Sequence, residues 1–147
     1  MSFRTEASGL PIRDLPAAGW FFEQLQKNAK QFPDRVAFSV DHPDRKEEYT
    51  YRDVIEQMGR TAAGLAAAGI RPGDRVGILM ENRPQWVFAL LGTLRLGAVA
   101  VPLATMLSEN SLRLLLEHCG AGLVFADEGN LERACRVVEA VSPHPAL

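Results

Sequence analysis

Cysteine, lysine, charge of one sign and long hydrophobic runs are all scarce in this 147-residue chain, and each scarcity removes a class of function. The two cysteines, Cys119 and Cys135, form no CxxC pair and lie near no histidine-rich spacing. Nothing here suggests a secreted fold stapled by disulfides, and a pair of reduced, packing cysteines is the simpler reading. Lysine occurs only at Lys27, Lys30 and Lys46, all in polar stretches, which argues against a buried catalytic lysine. A net charge of −2 supplies no basic field for nucleic acid, and there is no block of like charge. The most charged stretch, residues 41–48, mixes both signs and reads as a solvated turn. The opening MSFRTEASGLPIRDLP lacks the apolar core of a signal peptide. The most apolar stretch, residues 86–103, is broken by Arg95 and Pro102 and falls short of the roughly 20 clean residues of a membrane helix. These features predict a soluble, cytoplasmic protein with no membrane span and no nucleic-acid partner.

Familiar catalytic motifs are missing too. Neither GxGxxG nor GxxxxGK[ST] occurs, and the nearest glycine cluster, CGAG at 119–122, leads into a strand instead of a helix. There is no GxSxG elbow: Ser39 sits in a predicted strand, Ser108 at a predicted cap and Ser111 in a helix start. His42, His118 and His144 fall in a loop, at a helix end and in the tail. The helix dipole is enough to explain His118. Asp127 and Glu128 are the best-placed carboxylate pair, because they follow a strand end where parallel sheets bind ligands. They also open a helix, where acids are stabilised anyway, and that is the preferred reading. No internal repeat or low-complexity segment is present.

What the chain does contain is regular alternation. Residues 1–18 hold Gly9, Pro11 and Pro16 without periodicity and predict an extended arm. A first helix is predicted over 20–32, with Phe21, Phe22, Leu25, Ala29 and Phe32 on one face and Pro33 as its stop. VAFSV (36–40) and EEYTY (47–51), separated by a short loop, predict an antiparallel hairpin. Residues 51–69 predict the longest helix, capped by Thr50 with Asp53 and buried through Ile55, Met58, Ala62 and Leu65. Its AAGLAAAG half is small enough to lie close to a sheet, and Gly69 suits a left-handed cap. Arg71-Pro72-Gly73-Asp74 predicts a tight turn.

Residues 74–103 form the centre of the pattern. RVGILM (75–80) is a continuous apolar run, as a strand covered on both faces should be. Asn82 as cap and Pro84 in the first turn start a helix whose predicted face is Trp86, Ala89, Leu90, Thr93 and Leu94. Gly97 ends it, and AVAV (98–101) makes the next strand, closed by Pro102. A helix from Ser108 packs Leu112, Leu115 and Leu116, LVFA (123–126) makes a strand, and 131–141 makes a last helix through Leu131, Ala134, Val137, Val138 and Val141. The expected fold is α/β: a parallel βαβαβα sheet flanked by helices, preceded by a helix and an antiparallel hairpin.

Two stretches carry a family resemblance. TYRDV (50–54) opens the long helix, and TLRLGAVAVPL (93–103) spans a helix end and a strand. With GIRPGDRVGILMENRPQWVFALL between them and FPDRVAF before them, they resemble the N-terminal region of the adenylate-forming (AMP-binding) enzymes. That superfamily includes acyl-CoA synthetases, luciferases and the adenylation domains of peptide synthetases. The resemblance runs from about residue 20 to 127. It implies the N-terminal subdomain of that fold, with residues 19–147 a partial AMP-binding domain.

The resemblance also implies a parent reaction. A carboxylic acid, with a fatty acid favoured, is activated by ATP and Mg²⁺ to an acyl-adenylate and passed to CoA or a carrier thiol. The family's Gly/Ser/Thr-rich phosphate loop with its lysine, its adenine- and ribose-holding segments and its C-terminal lysine match nothing in these 147 positions. No catalytic, cofactor-binding or metal-ligating residue carries over. The chain is therefore expected to be an inactive fragment that binds none of these groups tightly, with the rest of the parent enzyme as its partner. Apolar surface meant for that partner predicts self-association. Met106, Leu107 and Ser108, after the strand at 98–101, are the candidate substrate or CoA approach. A stand-alone interaction or regulatory module that keeps only this part of the fold is the alternative. An unrelated doubly wound nucleotide binder is a third.

Overall fold

The computed structural model describes residues 17–41 and 44–141. Most of the predicted arm (residues 1–16), two loop residues including His42, and the tail with His144 lie outside the described residues. The chain divides into two compact units, 1–55 and 56–147.

In the first unit, α1 (Ala17–Gln31) begins three residues earlier than its apolar face predicted. Leu25 is buried, whereas Phe21 and Phe32 are exposed. Hairpin strands β1 (Val36–Asp41) and β2 (Lys46–Thr50) pair antiparallel. Phe38 and Tyr49 stack across them at 5.0 Å between ring centroids, the kind of cross-strand pair that stabilises a sheet. The chain turns directly from β2 into α2 (Tyr51–Ala67), which continues into the second unit. Its start is a reciprocal cap. The Thr50 N–H donates to Asp53 Oδ2 at 2.9 Å, and the Asp53 N–H donates to Thr50 Oγ1 at 3.2 Å. Asp53 is held below the usual carboxylate range, first by the Thr50 hydroxyl and then by the Thr50 N–H.

The second unit is a three-stranded parallel sheet in the order β4-β3-β5. Its strands are β3 (Arg75–Leu79), β4 (Val99–Pro102) and β5 (Ala121–Ala126). Between them run α3 (Pro84–Arg95) and α4 (Glu109–Cys119), and α5 (Leu131–Glu139) follows a single 3-10 turn at Glu128–Asn130. Neighbouring residues of β5 serve opposite faces. Val124 joins Leu112, Leu116, Ala134, Val137 and Val138 of α4 and α5, while Leu123 joins Leu65, Ile70, Val76 and Ala98. Helices thus cover both faces, and β3 is buried from Val76 to Leu79, as its unbroken apolar run predicts.

Two matching joins shape the sheet. After α2, Gly69 takes φ +87° while its N–H donates to Ala66 O and the Ile70 N–H donates to Leu65 O. After α3, Gly97 takes φ +81°, and the same pattern links Gly97 to Leu94 and Ala98 to Thr93. Each is a Schellman ending, in which a left-handed residue lets the chain reverse while the last carbonyls stay bonded. The predicted turn at 71–74 closes through the Asp74 N–H to Arg71 O at 3.0 Å and the Arg71 N–H to Asp74 Oδ2 at 2.8 Å.

Several predicted faces turn out rotated. In α3 the buried residues are Pro84, Phe88, Ala89, Leu91, Gly92 and Thr93, whereas Trp86, Leu90 and Leu94 are only half-buried. The buried side carries Gly92, which seats against Thr61 of α2. A Cβ built there would come within 2.4 Å of the Thr61 Cβ. Thr93 is fully buried because its hydroxyl is satisfied by the Ala89 carbonyl at 2.7 Å. The cap is Arg83, not Asn82, and it makes no side-chain cap bond. In α2 it is Val54, not Ile55, that is buried with Met58, Ala62 and Leu65. The small residues Ala63, Gly64, Ala66, Ala67 and Ala68 are exposed and not laid against the sheet. Leu115 and Leu131 are exposed as well, while their predicted companions on α4 and α5 are buried.

Candidate functional site

With strand order β4-β3-β5, the connection through α3 leaves the central strand on one side and the connection through α4 returns on the other. The C-terminal ends of β3 and β5 therefore flank the point where the winding reverses, the usual ligand crevice of open parallel sheets. A shallow depression of about 700 Å³ lies there, lined by Glu81, Arg83, Asp127, Glu128, Gly129 and Asn130.

The geometry at Asp127 settles its role. Asp127 is only 8% exposed, and both carboxylate oxygens are engaged. Oδ2 accepts the Glu81 N–H at 2.8 Å, and Oδ1 accepts Asn130 Nδ2 at 2.6 Å and the Asn130 N–H at 3.1 Å. Burial is the largest single influence on this carboxyl and acts against ionisation. The Glu81 N–H, the two Asn130 donors and the Arg83 charge together outweigh it, so Asp127 sits below the usual carboxylate range. Glu128 is exposed and makes no such bonds. Asp127 and Glu128 are thus a helix cap and a solvated neighbour, with no geometry of a paired acid and base.

The depression does not suit a polyphosphate. Glu81, Asp127 and Glu128 bring three carboxylates against the single guanidinium of Arg83. Among the described residues, no group of three or more His, Cys, Asp or Glu side chains stands close enough to share a metal ion. Residues 119–122 form the left-handed end of α4 at Gly120 and the start of β5, where Arg75 donates to the carbonyls of Cys119 and Gly120 at 2.9 and 2.7 Å. That is a helix-to-strand turn and no phosphate cradle. Cys119 and Cys135 are free thiols, both half-buried.

The candidate approach residues lie on the loop between β4 and α4. Met106 is 91% exposed, Leu107 is half-buried against the α4–α5 core, and the Ser108 hydroxyl caps α4 by accepting the Ser111 N–H at 3.2 Å. This loop is tied to α5. Arg133 Nη1 donates to the Leu107 carbonyl at 3.0 Å, and Nη2 donates to the Thr105 carbonyl at 2.6 Å. One turn on, Arg136 donates to Glu109 Oε1 through Nε at 3.1 Å and Nη2 at 2.7 Å. Those bonds hold Glu109 below its ordinary range. Neither arginine stands out in sequence; their spacing of three on one helix face is the only legible sign.

Residues 25–146 match the family model of the AMP-binding enzymes. The chain belongs to the AMP-binding enzyme family. It is 39% identical over 95 residues to acetyl-coenzyme A synthetase of Halorhodospira halophila, covering 64% of this chain and 15% of that protein. The uncharacterized protein Rv1549 of Mycobacterium tuberculosis is 31% identical over 111 residues, 76% of this chain and 62% of that one. Among solved structures, a fatty acyl CoA synthetase of Mycobacterium tuberculosis superposes with a TM-score of 0.71 at 29% identity, over 87% of this chain and 24% of that one. The chain thus spans only part of the length of each of these relatives. Among the described residues, no helix is long and apolar enough to cross a membrane.

Proposed function

We propose that this chain is the N-terminal scaffold of an ATP-dependent acid–thiol ligase of the acyl-CoA synthetase kind. The complete enzyme activates a carboxylic acid, a fatty acid by preference, as its acyl-adenylate and transfers the acyl group to CoA in the cytoplasm. The observation that carries this reading is the family match across 25–146 together with the fold of 56–147. Three carboxylates against one guanidinium in the depression at the strand ends disfavour a polyphosphate there, which supports assigning ATP, Mg²⁺ and CoA to parts of the enzyme outside these positions. The chain's own contribution is the parallel sheet, and Met106, Leu107 and Ser108 line the approach of acyl chain or CoA. A nearly fully exposed methionine at the C-terminal edge of the sheet supports that assignment, because flexible thioethers suit variable apolar partners. The test is ATP–pyrophosphate exchange. The 147-residue chain is expected to give none with any acid, and exchange above a buffer control overturns the scaffold reading.

A second reading has one observation in its favour. The match to Rv1549 spans most of that protein, so a polypeptide consisting largely of this region is known among the relatives. On that reading the chain is a non-catalytic interaction or regulatory module. The open reading frame decides: continuation past Leu147 into a Gly/Ser/Thr-rich loop with lysine supports the ligase, and a stop codon supports the module.

A further inference from the structure

The ends of all three parallel strands are joined by one unbroken line of hydrogen bonds. It starts at the Glu81 N–H, just past β3, which donates to Asp127 Oδ2 at 2.8 Å, just past β5. Asp127 Oδ1 accepts Asn130 Nδ2 at 2.6 Å. Asn130 Oδ1 accepts Arg133 Nη2 at 3.0 Å. Arg133 then reaches the carbonyls of Thr105 and Leu107 in the loop that follows β4. The middle member is polarised: Asn130 donates through its nitrogen to Asp127 and accepts through its oxygen from Arg133. Flipping its amide would set donor against donor and acceptor against acceptor, so each link holds the next in orientation.

We propose that Asp127, Asn130 and Arg133 are positioning residues that place the β4–α4 loop, with Met106 at its tip, by reference to the end of the central strand. Leu103, bonded to β3 through its N–H, and half-buried Leu107 anchor the two ends of the loop, and the pinned carbonyls of Thr105 and Leu107 hold the exposed part between them. The use of that loop as a substrate approach rests on the ligase reading. The relay itself does not, because it is a property of this chain alone.

Backbone amide hydrogen exchange on the full chain tests it. Arg133→Met removes the donors but keeps the apolar stem, and is expected to raise exchange across 104–108 by about tenfold, the effect of losing charge-assisted bonds. Arg133→Lys keeps one donor and is expected to fall between wild type and Arg133→Met, a rescue that loss of packing alone would not produce. The decisive variant is Asp127→Ala, which touches no atom of the loop. It is expected to raise exchange at 104–108 as well, with no further rise when combined with Arg133→Met. Faster exchange confined to residues near 81 and 130, with 104–108 unchanged, overturns the relay. If Asp127→Ala instead loosens β3 and β5 throughout, Asn130→Ser breaks the same line more gently and is judged by the same two outcomes. Failure here removes the relay and leaves the ligase reading standing; a reading frame that stops removes the substrate role and leaves the relay.

Discussion

Glycines at three helix-associated positions do three different things: tertiary contact separates two of them, and backbone conformation sets the third apart. Gly92 is a point of contact: a Cβ there meets the Thr61 Cβ at 2.4 Å and Cγ2 at 2.5 Å, with the Ala62 N at 3.2 Å. Gly92→Ala gains helix propensity but forces α3 away from α2, and is expected to lose about 1–2 kcal/mol net in urea denaturation. Gly64, in the exposed half of α2, has nothing within 4 Å of such a Cβ. Gly64→Ala is expected to gain about 0.5–1 kcal/mol in the same measurement. Gly97, at φ +81°, is required by its backbone instead. Asp127 supplies the residue-scale pH effect. Its carboxyl is depressed in the folded chain, so the stability it contributes is present above the unfolded carboxylate value near about 4 and is lost as pH falls through the lower folded value. Replacing it with Asn should flatten the acid limb of a urea-midpoint against pH curve; an unchanged limb would assign the acid sensitivity elsewhere.

Among the elements, the starts of α2 and α4 were readable, the start of α3 shifted its cap from Asn82 to Arg83, and helix faces were the least readable. The Thr50–Asp53 cap is stated by adjacent residues in the right order, and the structure forms it as written. Thr50→Ala is expected to cost about 1 kcal/mol, seen as a lower denaturation midpoint with reduced helical ellipticity. Asp53 is depressed by the same two Thr50 donors, so that contribution also fades as pH falls below the ordinary carboxylate value. Ser108 performs the corresponding task for α4. The faces were less legible because apolar residues occur most of the way round α3, and periodicity cannot choose among them. Leu90 and Leu94 fit the pattern as well as Phe88 and Leu91 do. In the folded chain the buried side is the one on which Gly92 meets Thr61 of α2.

At the scale of the whole molecule, the sheet is ordinary and its surroundings are not. The described part of the 56–147 unit exposes Val99, Met106, Leu114, Leu115 and Leu131, large apolar side chains on β4, α4, α5 and a strand-end loop. Such side chains favour association, and the chain is expected to bind a hydrophobic dye and to form concentration-dependent oligomers in ultracentrifugation. Leu114→Glu with Leu115→Glu should weaken both signals without lowering the denaturation midpoint, since neither residue is in the core. A monodisperse wild-type monomer that binds no dye would show that these side chains are tolerated singly in water.

The sequence alone determined the order of elements, the caps at Thr50 and Ser108, the turn at 71–74 and the family, because each is written in local residue types at short spacing. It could also exclude the common catalytic motifs, since their residues are simply not there. It left Asp127 with two meanings, ligand contact or helix start. Only the folded chain chose, by bringing the Glu81 N–H to one carboxylate oxygen and Asn130 to the other. The tertiary structure likewise decided which side of α3 is buried, left the alanine-rich half of α2 in water, and linked Arg133 to a loop 26 residues away in sequence. These are long-range contacts between surfaces of similar composition, and a local pattern holds no information about which of two adequate faces will find a partner.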